Sequence, residues 1–131
     1  MTRFWITLDQ GIGFVLSCFA MMRGGEVFVP KIPSMKIVDL VKAMAPEMPT
    51  KVVGIRPGEK LHEVMVTTDD ARTTVELPDR YVIEPQFNFW ARSRRDLADA
   101  KPVAESFSYA SDTNREWLDV TGMQAWLLTT G

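Results

Sequence analysis

The sequence lacks the residues on which several classes of protein depend. It contains one cysteine and one histidine in 131 residues, so neither an intramolecular disulfide nor a zinc site of Cys/His type is expected. Its formal charge of −2 is not the basic excess of a nucleic-acid-binding protein, and no apolar run is long enough to span a bilayer. We therefore expect a cytoplasmic protein without metal, nucleic acid or membrane as partners.

The motifs of several enzyme classes are also missing. Gly11 and Gly13 lack the third glycine of a G-x-G-x-x-G fingerprint, and they fall inside a predicted helix rather than after a strand. There is no P-loop lysine motif and no Tyr-x-x-x-Lys pair. A Ser-His-Asp triad would need His62, which no nucleophile-elbow pattern accompanies. The residues therefore provide no complete catalytic apparatus, and none is predicted to be catalytic.

The residues that are present fit a single domain over residues 1–131. In the first half, helical and strand patterns alternate with short connections, which predicts an α/β fold: a small mixed sheet with some parallel pairing and flanking helices. The predicted elements are a helix opened by a capping box of Thr7 and Gln10, a strand over residues 26–30, a helix capped by Ser34 with Ile37, Leu40, Val41 and Met44 towards the core, and a buried strand over residues 51–55.

The second half is less regular. Residues 73–84 predict an antiparallel hairpin around Pro78 and Asp79, and an irregular tail follows over about residues 86–131. Within the tail, a basic cluster favours a solvated loop face over an anion site, and a capping box at Thr121 predicts a last short helix. The basic cluster consists of Arg92, Arg94 and Arg95.

The first predicted helix carries two apolar stripes, which indicates burial on two faces or packing against a missing partner. The chain also opens directly into the apolar run Phe4-Trp5-Ile6, which is more typical of the middle of a larger protein. Cys18 is expected to be a small core residue. The stripes consist of Ile12, Val15, Leu16, Phe19 and Met22, and of Phe14, Cys18 and Met21.

Residues 54–63 form the stretch with the clearest chemistry. A strand is expected to end at Arg56, and Pro57-Gly58 then predicts a tight turn that presents Arg56 and Glu59 together. An arginine offers a planar fork to a phosphate, and a glutamate accepts hydrogen bonds from ribose hydroxyls. By spacing alone, a solvated turn with one salt bridge is the stronger interpretation of this stretch.

Two further candidates are weaker. His62 could orient Glu59 or touch a ligand, but a surface histidine beside Glu63 is the simpler interpretation. Asp69 and Asp70 could bind a metal, but their pattern favours an exposed acidic turn.

Three long segments resemble the C-terminal part of the inverting UDP-N-acetylglucosamine 4,6-dehydratases. These enzymes are extended short-chain dehydrogenase/reductases of the capsular-polysaccharide type. The resemblance lies in residues 1–8, 24–36 and 54–65, in that order, and it is weakest between about residues 86 and 106. Residues 109–114 and 117–118 resemble the closing motif of the family, with Ala110 where a serine is usual.

The resemblance implies a fold, a reaction and site residues. The fold would be the C-terminal, UDP-sugar-binding portion of such an enzyme, and the full-length enzyme would use NADP bound in an N-terminal Rossmann domain. The reaction would be oxidation at C4, loss of water across C5 and C6, and hydride return at C6 with inversion at C5. Arg56 would then contact the diphosphate, and Glu59 would contact the ribose or support it, with Arg3 as a further phosphate contact.

The departure from the family is large, because the Rossmann domain, with its glycine fingerprint, and the catalytic residues are absent from this sequence. We therefore expect no cofactor site in this chain and no activity from it alone. The missing domain would be a partner, supplied by a longer protein or by a second polypeptide, and an exposed apolar face would favour a homo-oligomer. The rival hypothesis is a stand-alone binding or interaction module that has kept the fold and lost the chemistry.

Overall fold

A computed structural model describes residues 1–87, 97 and 99–129 of the chain. The contacts divide the chain into two compact units. Unit 1 comprises residues 1–5, 32–64 and 110–131, and unit 2 comprises residues 6–31 and 65–109. The prediction of a single domain stays a prediction, and the basic cluster of Arg92, Arg94 and Arg95 lies outside the described residues.

The described residues form three α-helices and several small sheets, so the predicted mixed α/β class is confirmed at this level. None of the helices described has both the length and the apolar character needed to cross a membrane. The elements are β1 (Thr2–Phe4), α1 (Leu8–Met21), β2 (Val27–Pro30), β3 (Ser34–Lys36), α2 (Ile37–Met44), β4 (Val64–Val66), a 3₁₀ turn (Ala71–Thr73), β5 (Thr74–Glu76), β6 (Arg80–Ile83), β7 (Lys101–Pro102), β8 (Tyr109–Ala110) and α3 (Val120–Thr129).

Unit 1 packs α2 and α3 around a small sheet of β1 and β3. The two strands pair antiparallel, with Arg3 opposite Met35. Met35 and Met123 are 3% and 2% exposed and form the core together with Ala43, and the rings of Trp5 and Trp126 lie 6.2 Å apart at its edge. The partly buried apolar residues around this core are Trp5, Ile37, Leu40, Leu118, Val120 and Leu127.

Unit 2 contains a four-stranded antiparallel sheet in the order β2-β6-β5-β7. The predicted hairpin is confirmed, because β5 and β6 pair with Val75 opposite Val82. Both of these valines are buried and form the core of the unit with Leu77, while Phe28 packs against it. A separate two-stranded sheet consists of β4 and β8.

Helix α1 begins as predicted and is less buried than predicted. The Thr7 hydroxyl accepts from the Gln10 amide at 3.1 Å, and the Gln10 side chain accepts from the Thr7 amide, so the capping box is confirmed. No residue of the helix is buried, so the prediction of burial on two faces was wrong. The prediction of Cys18 as a core residue was also wrong, because Cys18 is only half-buried. The exposed stripe, which we call the α1 apolar face, comprises Leu8, Ile12, Val15, Leu16 and Phe19.

The start of the second helix was predicted wrongly. Ser34 does not cap a helix: it lies in β3, fully buried, and α2 begins after it at Ile37 without a side-chain cap. Met44, which was predicted to face the core, is 65% exposed, and Ala43 is buried instead. Asn114 explains the difference, because its amide donates to the Ser34 hydroxyl at 3.0 Å and so satisfies it within the unit.

The strand predicted over residues 51–55 was also wrong. These residues are irregular, and Val52 and Val53 are 93% and 76% exposed. Gly54 has a φ of +83°, which interrupts an extended chain. The β-branched side chains here have no pleated surface to pack against among the described residues, so their propensity is not realised.

Parallel pairing and the last helix cap also differ from expectation. The ladders of β1 with β3 and of the four-stranded sheet are antiparallel, and a parallel contact occurs as an isolated bridge between Ser34 and Trp117. Helix α3 is capped by Asp119, whose carboxylate accepts from the Gly122 amide at 2.7 Å, rather than by Thr121.

Candidate functional site

Residues 56–59 form an exposed turn, as Pro57-Gly58 predicts. Gly58 has a φ of +81°, and the Glu59 amide donates to the Arg56 carbonyl at 3.1 Å. The Glu59 carboxylate in turn accepts from the Arg56 amide at 3.0 Å. The turn is therefore closed by two hydrogen bonds, and it brings two of the predicted site residues together.

The side chains of Arg56 and Glu59 are engaged to different degrees. Both residues are exposed, and one carboxylate oxygen of Glu59 is already used by the turn. The Arg56 guanidinium contacts no carboxylate in the part of the chain that the structure describes, so the salt bridge expected of a plain surface turn does not involve it. Its planar fork is open to an anion from solution.

Arg3 lies at the base of this loop rather than in the turn. Its partners are the carbonyls of Thr2 at 2.7 Å, Lys60 at 2.9 Å and Leu61 at 3.4 Å, and a carboxylate oxygen of Glu63 at 3.5 Å from Nε. Three of these contacts are hydrogen bonds from the terminal nitrogens, and the contact with Glu63 is an ion pair, so some of the five N–H groups of an arginine are left over. Arg3 therefore fastens the segment after the turn to β1 and keeps N–H groups for an external acceptor.

A buried pair of hydroxyls beside this loop was missed by sequence reasoning. Thr2 and Ser111 are 6% and 0% exposed, and their hydroxyl oxygens lie 2.7 Å apart. The Thr2 hydroxyl also lies 2.8 Å from Nδ1 of His62. His62 is thus half-buried and bonded to Thr2, rather than a surface residue or a partner of Glu59. No local motif could reveal a cluster whose members lie so far apart in sequence.

Residues 111–117, which belong to the segment that resembles the closing motif, form hydrogen bonds within unit 1. The Asn114 amide donates to the Ile32 carbonyl at 2.8 Å, and the Trp117 indole donates to the Asn114 carbonyl at 2.8 Å. The Ser111 amide donates to the Glu63 carbonyl at 2.8 Å. The residues that resemble the closing motif of the family therefore hold β3 and the loop base in place.

The weaker sequence candidates for a metal and for a dinucleotide lie in local structure, a turn and a helix respectively. They contain no group of three or more His, Cys, Asp or Glu side chains that could hold a metal ion. Gly11 and Gly13 lie inside α1 without positive φ, so they do not form the phosphate-binding turn of a dinucleotide fingerprint. Asp70 accepts from the Thr67 hydroxyl at 2.6 Å and closes a local turn, as the acidic-turn interpretation predicts.

The family model described as "polysaccharide biosynthesis protein" matches residues 1–85, which is more than half of the chain. The chain belongs to the polysaccharide biosynthesis protein family. Within it, the chain is 48% identical over 89% of its length to an inverting UDP-N-acetylglucosamine 4,6-dehydratase of Campylobacter jejuni. It is 31% identical over 98% of its length to a UDP-glucose 4-epimerase of Rickettsia canadensis. The resemblance to the inverting dehydratases is thereby confirmed.

A solved structure supports the same relationship. The X-ray structure of Pen from Bacillus thuringiensis matches 99% of the chain with a TM-score of 0.79 and 26% identity. The chain corresponds to 38% of that structure, and to 36% and 39% of the dehydratase and the epimerase. This member of the polysaccharide biosynthesis protein family therefore spans little more than a third of the length of these three relatives.

Proposed function

We propose that this chain is the UDP-sugar-binding part of a UDP-N-acetylglucosamine 4,6-dehydratase of surface polysaccharide or glycan biosynthesis, located in the cytoplasm. The observation that carries the proposal is the 48% identity to the Campylobacter jejuni dehydratase over 89% of the chain. The exposed turn supports it, because Arg56 there is open to an anion and is presented on a loop whose base is fastened to β1.

Three residues would contact the nucleotide end of the ligand. The Arg56 guanidinium would donate two parallel hydrogen bonds to the diphosphate, for which its planar fork is suited. The second carboxylate oxygen of Glu59, which the turn does not use, would accept from a ribose hydroxyl. Arg3 would act mainly by fixing the loop base, and one of its unused N–H groups would reach a phosphate oxygen.

The remaining two thirds of the enzyme would supply the chemistry. The cofactor would be NADP, which supplies hydride transfer when bound, and the residues of this chain would bind and orient the sugar nucleotide. The α1 apolar face supports this dependence, because it leaves Leu8, Leu16 and Phe19 between 63% and 79% exposed in the isolated chain. We infer that this face packs against the rest of the enzyme, and that the chain is inactive alone.

Calorimetric titration of the full chain with UDP tests the proposal. A bidentate charged hydrogen bond contributes about 1.5–3 kcal/mol, so Arg56→Ala should weaken UDP binding by about 10- to 150-fold. Arg115→Ala is the matched control, because Arg115 is also exposed but lies outside the loop. Loss of binding in both variants, or none in either, would contradict a specific role of Arg56.

Two further outcomes separate the proposal from its rival. Incubation of the chain with UDP-N-acetylglucosamine and NADP should give no dehydrated product, while UDP still binds. Absence of UDP binding by a chain that circular dichroism shows to be folded would overturn the proposal. It would favour an interaction module that has kept the fold without the ligand.

A further inference from the structure

His62 is held by a chain of hydrogen bonds that fixes where its ring protons lie. Ser111 Oγ accepts from the Glu63 amide at 2.9 Å and lies 2.7 Å from the Thr2 hydroxyl, which lies 2.8 Å from Nδ1 of His62. Each hydroxyl has a single proton to donate. The two contacts of the Thr2 hydroxyl therefore allow three arrangements of donors, and only one of them uses both hydroxyl protons.

Burial selects one of the three arrangements. If His62 donated from Nδ1 to Thr2, either the Thr2 or the Ser111 proton would point into the interior with no acceptor among the described residues. Thr2 and Ser111 are 6% and 0% exposed, so bulk water does not reach either proton. In the remaining arrangement, Ser111 donates to Thr2 and Thr2 donates to Nδ1, and every proton is used.

The selected arrangement makes Nδ1 an acceptor, so the proton of the neutral imidazole lies on Nε2. Nε2 points away from the buried Thr2 hydroxyl, because the two ring nitrogens face different sides of the imidazole. In the described part of the chain it has no hydrogen-bond partner. A half-buried donor is therefore left at the base of the Arg56–Glu59 loop, on a segment that Arg3 fastens through the Leu61 carbonyl.

We propose that His62 is a further ligand-binding residue, which donates from Nε2–H to an oxygen of the nucleotide. The proposal rests on the proposed function, since it assigns His62 to the same UDP site. Thr2 and Ser111 are positioning residues: they set the tautomer and aim the ring, and they do not touch the ligand. The acceptor is a phosphate oxygen or a uracil carbonyl, which share the same hydrogen-bond chemistry.

Proton and nitrogen NMR of the imidazole tests the proposal directly. His62 is the only histidine of the chain, so its ring signals need no assignment. In the free, full chain the nitrogen shifts should be those of the Nε2–H tautomer, and Thr2→Val should turn them into those of a tautomer mixture. Addition of UDP to the wild type should shift the Nε2–H signal.

Substitution separates ligand binding from a purely structural role. Gln places an amide N–H near the position of Nε2, whereas Asn places its amide near Nδ1. His62→Asn should therefore weaken UDP binding by about 5- to 30-fold, as expected for one lost hydrogen bond, and His62→Gln should restore most of it. Titration with uridine and with pyrophosphate then identifies the acceptor, by which of the two shifts the Nε2–H signal.

The outcomes also separate this proposal from the proposed function. UDP binding to the wild type with an unshifted Nε2–H signal would overturn the role of His62 and leave the UDP site standing. An Nδ1–H tautomer in the free chain would overturn the hydrogen-bond order. Absence of UDP binding altogether would overturn both proposals.

Discussion

The guanidinium carbon of Arg80 lies 4.6 Å from the centroid of the Phe14 ring. The Arg80 side chain is only 7% exposed, and it also donates to the Ser17 hydroxyl at 2.8 Å and to the Asp79 carboxylate at 2.6 Å. A buried charge is tolerated when it is paired and its donors are satisfied. Arg80 therefore joins β6 to α1 within unit 2, and it reaches the sulfur of Cys18 at 3.3 Å.

Replacement of Arg80 by lysine should destabilise the protein although the charge is kept. An ammonium cannot stack flat on Phe14 while it bonds both Ser17 and Asp79, so at least one donor–acceptor pair is lost. We expect Arg80→Lys to lower the free energy of unfolding by about 1–3 kcal/mol, measured by urea denaturation. Arg115→Lys on an exposed site should change it by less than about 0.5 kcal/mol. Equal effects of the two variants would show that Arg80 acts only through its charge.

The contribution of Asp79 to the stability of the folded protein should depend on pH. Its hydrogen bond from the Arg80 side chain holds the pKa of Asp79 below its usual value. A carboxylate with a lowered pKa in the folded state stabilises the protein above its unfolded pKa, and this stabilisation is lost as the pH falls through the folded value. The difference in urea midpoint between the wild type and Asp79→Asn should therefore shrink on acidification below the usual carboxylate range.

The same comparison with Asp69→Asn provides the control, because Asp69 is exposed and forms no salt bridge within the described residues. The Asp79 effect should be modest even at neutral pH, since its side chain is 65% exposed and solvent screens the pair. A difference in urea midpoint between the wild type and Asp79→Asn that grows in acid would contradict the sign of the pKa shift.

Two methionines of unit 1 should respond very differently to truncation. Met123 is 2% exposed in the core, whereas Met44 is 65% exposed. Met123→Ala leaves a cavity against Met35 and should cost about 2–5 kcal/mol of unfolding free energy. Met44→Ala should cost less than about 0.5 kcal/mol in the same thermal or urea titration. A large loss for Met44 would place it in an interface that forms in solution.

Glycines in helix α1 should be replaceable with a gain in stability. A methyl group added at Gly11 or Gly13 would meet nothing within 4 Å, and alanine is favoured over glycine in a helix by about 0.5–1 kcal/mol. Both alanine variants should therefore raise the melting temperature of the isolated chain. Gly11 lies among the apolar residues around Leu8 and Ile12. A fall in melting temperature for Gly11→Ala but not for Gly13→Ala would therefore reveal a second copy of the chain packed on the α1 apolar face.

Local signals in the sequence predicted the elements that depend on local chemistry. The capping box of Thr7, the hairpin over residues 73–84 and the turn at Pro57-Gly58 need only neighbours in sequence, and all three are confirmed. Ser34 failed as a helix cap because its partner, Asn114, is distant in sequence and holds it in β3. Residues 51–55 failed as a strand because β-propensity requires a neighbouring strand, which propensity alone cannot supply.

The candidate site likewise contains residues that the sequence predicts and residues that only the structure reveals. Arg56 and Glu59 stand out in sequence because they flank a turn signal, and their roles as ligand contacts stay predictions. The role of Arg3 in fastening the loop base follows from carbonyls of Lys60 and Leu61, which any residue would present and no motif encodes. The position of His62 in the candidate site is evident only from its hydrogen bond with the Thr2 hydroxyl, which no motif in the sequence predicts.

Unit 1 is assembled from three segments, over residues 1–5, 32–64 and 110–131. During synthesis on the ribosome, Met35 can meet Met123, and the Thr2 hydroxyl can meet Ser111, only after the third segment has emerged. At about 5–20 residues per second this delay lasts seconds, during which the nascent β1 strand has no native core to join. The Met35 side chain, which is 3% exposed in the folded unit, therefore stays accessible to chaperones until the third segment has been made.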